Sequence, residues 1–154
     1  MDATTESTTI ERELAIAARP ETVWELLTDP IQATRWMGQE ASFDLRPGGE
    51  YRVDVIPGNV AVGEFVEIDP PRRLVFTWGW ESGGSSVAPG STTIEFDLVP
   101  DGEGTLLRFR HSNLPSAEAT ASHSHGWDHY LDRLVTAGAG KDPGVDPWLE
   151  GPMT

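Results

Sequence analysis

Apolar and polar residues alternate in short runs along most of the chain, and helical spacing returns only near its end. Ile10, Arg12, Leu14 and Ile16 point one way and Glu11 and Glu13 the other, which predicts a half-buried strand. Pro20 at a first helical position, Glu21 behind it and the stripe Val23, Trp24, Leu26 and Leu27 predict a short helix. Asp29-Pro30 ends that helix, and Ile31 to Trp36 reads as a second short one before Gly38.

A long β stretch follows. Phe43-Asp-Leu45 leads into the turn Pro47-Gly48-Gly49, and Tyr51, Val53 and Val55 then alternate with Arg52 and Asp54. Pro57-Gly58-Asn59 turns the chain again, and Val62, Glu64, Val66 and Ile68 share one face of the next strand. Pro70-Pro71 breaks it before the strand Leu74 to Trp80. Glycine and serine dominate residues 82–91, which read as a mobile hairpin loop. Ile94, Phe96 and Leu98 alternate with Glu95 and Asp97, and Asp101-Gly102-Glu103-Gly104 turns into a last strand with Leu107, Phe109 and His111 on one face. Short strands separated by turn chemistry predict one antiparallel meander.

Beyond Leu114-Pro115, Ser116 is a natural N-cap. Trp127, Tyr130, Leu131, Leu134 and Val135 follow the helical rule of three and four, so a long helix is predicted from about Ser116 to Ala139. The order is one strand, two short helices, six strands and one long helix. Residues 1–8 read as a flexible polar tail, 9–139 as one domain and 140–154 as a Pro-rich coil. A curved sheet of this length needs something on its concave side, and only the terminal helix is long enough. A hollow between sheet and helix is expected wherever the lining side chains leave room.

Charge and composition narrow the partners. The chain of 154 residues carries 25 acidic against 11 basic residues, a formal charge of −14, so phosphate backbones and anionic lipid surfaces repel it. Nucleic acid and membrane-surface binding are therefore not expected. The absence of cysteine removes disulfides, thiolate zinc sites and cysteine nucleophiles. No apolar stretch approaches the ~18 residues of a membrane span. Residues Met1 to Thr9 lack the basic-then-apolar pattern of a signal peptide, which gives a cytoplasmic expectation. No phosphate-cradling glycine loop, dinucleotide fingerprint or nucleophile triad is visible, and no cofactor is implied.

Several runs together resemble a known family. Ile10-Glu-Arg-Glu-Leu14 with Arg19-Pro-Glu-Thr-Val-Trp-Glu-Leu-Leu-Thr-Asp-Pro30 looks like the opening of the START/Bet v 1-like (SRPBCC) superfamily. Arg35-Trp-Met37, Pro47-Gly-Gly49, Asp69-Pro-Pro-Arg-Arg-Leu-Val-Phe-Thr-Trp78, Gly104-Thr-Leu-Leu107, His111, His123-Ser-His-Gly-Trp127 and Leu131-Asp-Arg-Leu134 narrow the resemblance. They are similar to the AHSA1-like domain, the activator of Hsp90 ATPase homologue 1-like branch, from about Thr9 to Ala139. The resemblance implies an α+β helix-grip (Bet v 1-like) fold. Its curved seven-stranded antiparallel sheet wraps around a long C-terminal helix, with two short helices after the first strand, and encloses a pocket for apolar small molecules.

The residues that could line such a pocket are mostly aromatic. Tyr51, Phe76, Trp78, Trp80, Phe96, Phe109, Trp127 and Tyr130 can all face inward, and Trp36 with Met37 would rim the mouth. The alternative is that these rings fill the interior themselves. His111 shares a strand face with Leu107 and Phe109, and His123 falls on the apolar side of the helix. Each is either a ligand anchor or proton donor, or a hydrogen-bonded core histidine joining last strand to helix, which is the commoner case. His125, Asp128, His129 and Asp132 fall on the opposite helix face and read as a solvated acidic face, with no metal expected. Glu64 faces inward if its strand is regular, as a general base or ligand anchor. A bulge near Gly63 or a salt bridge to an arginine such as Arg12 would make it structural.

Three functions remain. The first is a binding protein for a hydrophobic or aromatic small molecule, monomeric or homodimeric. The second, implied by the resemblance, is a cyclase- or hydrolase-type enzyme using an inward His, Glu or Tyr as acid/base. The third is an Hsp90-type co-chaperone. It ranks last because only about ten residues precede the first strand, whereas the eukaryotic members carry a separate chaperone-binding domain.

Overall fold

In the computed structural model, which describes residues 8–81 and 86–149, seven strands form one sheet whose neighbours all run antiparallel. The elements are β1 (Ile10–Ile16), α1 (Pro20–Thr28), α2 (Pro30–Ala33), β2 (Glu40–Phe43), β3 (Glu50–Ile56), β4 (Asn59–Asp69), β5 (Arg73–Trp80), β6 (Thr92–Asp101), β7 (Gly104–Ser112) and α3 (Ala117–Gly138). The strand order β1-β7-β6-β5-β4-β3-β2 is a six-strand meander, with β1 added beside the last strand through pairs such as Ile10↔His111 and Leu14↔Leu107. This is the α+β helix-grip architecture.

Local chemistry sets the boundaries. Asp29 ends α1 and starts α2: its backbone N–H donates to Glu25 O at 2.9 Å, and its Oδ1 accepts from the Ile31 N–H at 2.9 Å. The second helix stops at Ala33, earlier than the run to Trp36 suggested. Ser116 caps α3, its Oγ accepting the Ala119 N–H at 3.0 Å. β2 begins at Glu40 and ends at Phe43, and Leu45 is exposed. Of the expected loop at 82–91, residues 82–85 lie outside the described residues. Val87 is buried, and its carbonyl accepts the Trp80 N–H at 2.9 Å.

The strand β4 corrects one expectation. Ala61 and Phe65 are the buried residues of its inner face, while Glu64 is exposed and lies opposite Glu50 on β3. Register shifts between Phe65 and Glu67, so Ile68 returns to the core side after a bulge. Carrying the alternation back from Ile68 through that bulge puts Glu64 on the wrong face. Gly63 is required nearby, since a Cβ there would sit 1.8 Å from the Thr77 carbonyl oxygen.

The helix α3 crosses the concave face. Its Trp127 ring lies 5.2 Å from Trp78 on β5 and 4.7 Å from Phe109 on β7. One half of the interior is solid: Tyr51 stacks on Phe76 at 4.1 Å and on Phe43 at 5.2 Å, and Phe65, Phe96 and Phe109 continue the ring cluster. The outer face of the sheet is charged. Arg73 on β5 bonds Asp97 at 2.8 Å and Glu95 at 2.7 Å on β6, offsetting part of the acidic excess.

Candidate functional site

Trp78 and Trp80 are two apart on β5 and so share its inner face, while His123 and Trp127 are four apart on α3 and share a helical face. The two faces meet through hydrogen bonds that fix every proton. Trp127 Nε1–H donates to His111 Nδ1 at 2.9 Å, and Thr92 Oγ–H donates to the Trp78 carbonyl at 2.7 Å. His111 Nε2 must then donate to Thr92 Oγ1 at 2.8 Å, which assigns a neutral imidazole with its proton on Nε2. On the helix, His123 Nδ1 donates to Ala119 O and its Nε2 accepts the Trp80 Nε1–H, both at 2.9 Å. Burial, with the neighbouring His123 adding to it, lowers the His111 pKa to about 3; burial lowers that of His123 as well.

Beside this network the interior opens. A cleft of about 200 Å³ is lined by Met37, Val55, Asn59, Trp78, Trp80, Ser122, His123, Gly126, Trp127 and Tyr130. None of these side chains carries a formal charge at neutral pH. Trp80 and Trp127 spend their indole N–H groups on the histidines, and the Tyr130 hydroxyl donates to Asp146 Oδ2 at 2.7 Å. The Trp78 Nε1–H is buried and has no acceptor among the described residues.

Of the residues expected at a pocket, Trp78, Trp80, His123, Trp127 and Tyr130 line the cleft. Phe76, Phe96, Phe109 and Tyr51 do not; they fill the solid half, where a flat ring packs better against another ring than against a void. His111 is fully buried behind Trp127 as the core histidine joining strand to helix. Trp36 is also buried away from the cleft, its Nε1–H held by Leu26 O at 2.7 Å, and Met37 alone of that pair reaches the mouth. Glu64 is on the outer surface. Arg12 bonds Ser124 and Asp128 on α3 at 2.5 and 2.8 Å rather than Glu64.

Ser122, Gly126 and Tyr130 lie four residues apart on one line of α3, so the helical wheel that found His123 and Trp127 carries the signal for Ser122 and Gly126 too. Val55 lies on the inner alternation of β3 and Asn59 opens β4 after the turn; their patterns gave strand and turn but did not mark them as cleft residues. The helix face expected to be solvated is covered at His129, whose Nε2 bonds Asp146 Oδ1 at 2.8 Å and whose ring stacks on Trp148 at 3.7 Å. Among the described residues no helix is long and apolar enough to cross a membrane, and no cluster of three His, Cys, Asp or Glu could hold a metal ion.

Comparison with known proteins supplies a family. The model of the activator of Hsp90 ATPase homolog 1-like protein family matches residues 17–138. An AHSA1-like protein of Rhizobium etli, solved by NMR, is 49% identical over 91% of this chain and 87% of that one, with a TM-score of 0.73. CalU16 of Micromonospora echinospora is 33% identical over 92% of this chain and 71% of its own, with a TM-score of 0.74. The Aha1 dimer of Colwellia psychrerythraea, 22% identical over 85% of this chain and 96% of its own with a TM-score of 0.72, shares the fold. No functionally curated protein matches the chain.

Proposed function

This chain belongs to the activator of Hsp90 ATPase homolog 1-like family, and on that premise we propose that it binds a small, flat, uncharged organic molecule in the cleft between β5 and α3. The observation that carries the reading is a partly empty interior walled by three indoles, a phenol ring and neutral histidine. A cleft of about 200 Å³ exceeds the ~150 Å³ that holds benzene in a dry engineered cavity and falls short of the ~300 Å³ of ordinary drug-sized sites. One or two fused rings fit that space. A wall without a counter-charge opposes an ionised ligand, and the molecule's own −14 adds to that for an anion.

The binding reading is favoured over acid–base catalysis by the state of the imidazoles. Both nitrogens of His123 and both of His111 already have partners, and neither ring is a free base toward the cleft. The test is a fluorescence titration of the full chain with naphthalene, alongside native mass spectrometry of freshly purified protein. Saturable quenching in the wild type and its loss in Gly126→Leu support the reading. Absence of saturable quenching in the wild type overturns it.

A further inference from the structure

The segment after α3 turns back along the helix and is fastened to it from two sides. Arg133 donates from Nη2 to Gly144 O at 2.9 Å and from Nη1 to Pro143 O at 3.3 Å. Its Nε donates to Trp36 O at 3.0 Å, so one guanidinium joins the returning segment to the loop that carries Met37 to the cleft. Three residues on, Asp146 is only 5% exposed. It accepts the Tyr130 hydroxyl, His129 Nε2–H at 2.8 Å and the Trp148 N–H at 2.9 Å. Burial pushes its carboxyl up, but those three donors together hold it below the usual carboxylate range. Trp148 closes the arrangement, stacked on His129 and edge-on to the Tyr130 ring at 5.7 Å.

Tyr130 is therefore shared. Its ring is cleft wall, and its hydroxyl and ring edge belong to the returning segment. None of residues 142–149 touches the cleft directly, and they also lie beyond the part of the chain that the family model matches.

We propose that Asp146 is a positioning residue for the ligand site, holding Tyr130 as a fixed wall so that docking of residues 142–149 and occupancy of the cleft are coupled. The physical argument is reciprocity. A ligand packed against Tyr130 favours the ring position that Asp146 holds, so it must also favour the docked segment by the same factor. Without Asp146 the hydroxyl would be a buried donor lacking its acceptor, and the ring would leave that position to find one. The proposal rests on the cleft being a binding site.

The experiment uses the full chain and naphthalene as the probe, with amide hydrogen exchange followed by NMR. Saturating naphthalene is expected to slow exchange of the Trp148 amide at least ~5-fold, the low end of ordinary coupling between sites. Asp146→Ala is expected to weaken naphthalene binding by a similar factor, and that loss should vanish when the same change is made in a Tyr130→Phe background. A purely structural segment would lower the melting temperature of Asp146→Ala yet leave Trp148 exchange indifferent to naphthalene. That indifference, with naphthalene still bound, overturns the coupling while the binding reading survives. If the wild type does not bind naphthalene at all, both fall together. The exchange measurement needs no variant, so a poorly folded Asp146→Ala does not remove the test.

Discussion

Trp127 Nε1–H points at His111 Nδ1 from 2.9 Å, and this contact ties α3 to β7, the last strand in the chain. Because the bond needs an unprotonated Nδ1, the grip of helix on sheet depends on a neutral imidazole. The family fold is held here by a polar pair inside an apolar core, and each member is satisfied.

Acid should loosen that grip. The His111 pKa is about 3 in the folded chain against the ordinary 6.5, so the unfolded chain binds the extra proton between those values. Stability is fully present above pH 6.5 and falls as pH drops below it, by roughly 3 kcal/mol at pH 4 from this group alone. His123 acts in the same direction. Urea melts at pH 4 to 7 should show the slope, and His111→Asn should flatten it while lowering stability at pH 7. An unchanged slope in the variant would contradict the assignment.

The cleft can be filled from one position. A Cβ built on Gly126 meets nothing within 4 Å outside its own helix, and the residue lines the cleft. Gly126→Ala should stabilise α3 by ~0.5–1 kcal/mol, because glycine is a poor helix interior. Gly126→Leu should keep the fold by circular dichroism and abolish naphthalene binding. Retained binding in a folded Gly126→Leu protein would place the ligand elsewhere.

Affinity for a neutral ligand should also report His123. Its pKa is lowered by burial below the ordinary imidazole value, so the ring is neutral at pH well above 6.5 and binding should be flat there. Below its folded pKa, a protonated Nε2 would oppose the Trp80 N–H and put a cation in the wall, and affinity should fall. The pH profile of naphthalene quenching tests this.

Glu64 offers a check on the sheet. It stands directly opposite Glu50 on the outer face, a like-charged cross-strand pair. Glu64→Lys should raise stability by ~0.5 kcal/mol at low salt and less at high salt. A loss of several kcal/mol would mean the side chain is inside.

Much of the architecture was legible because it follows from local rules. Alternation at Ile10 to Ile16 and at Ile94 to Leu98, the Asp29-Pro30 break and the Ser116 cap act over a few residues, so the chain itself fixes strands, helix ends and their order. The helical face that joins His123, Trp127 and Tyr130 is local in the same sense. What depended on two distant segments meeting was not legible. The bulge after Phe65 reversed the face of Glu64, because only pairing with β5 reveals an extra residue. Whether rings fill or line the interior was decided by three-dimensional packing: Tyr51 and Phe76 found each other and closed one half, while Trp78 and Trp80 were left beside open space. The coil holding Asp146 and Trp148 has no periodicity at all, and its role came from where the chain returned, against Tyr130 and His129. Sequence pattern records which side of its own element a residue takes; the partner across the gap, and the volume left between, belong to the tertiary structure.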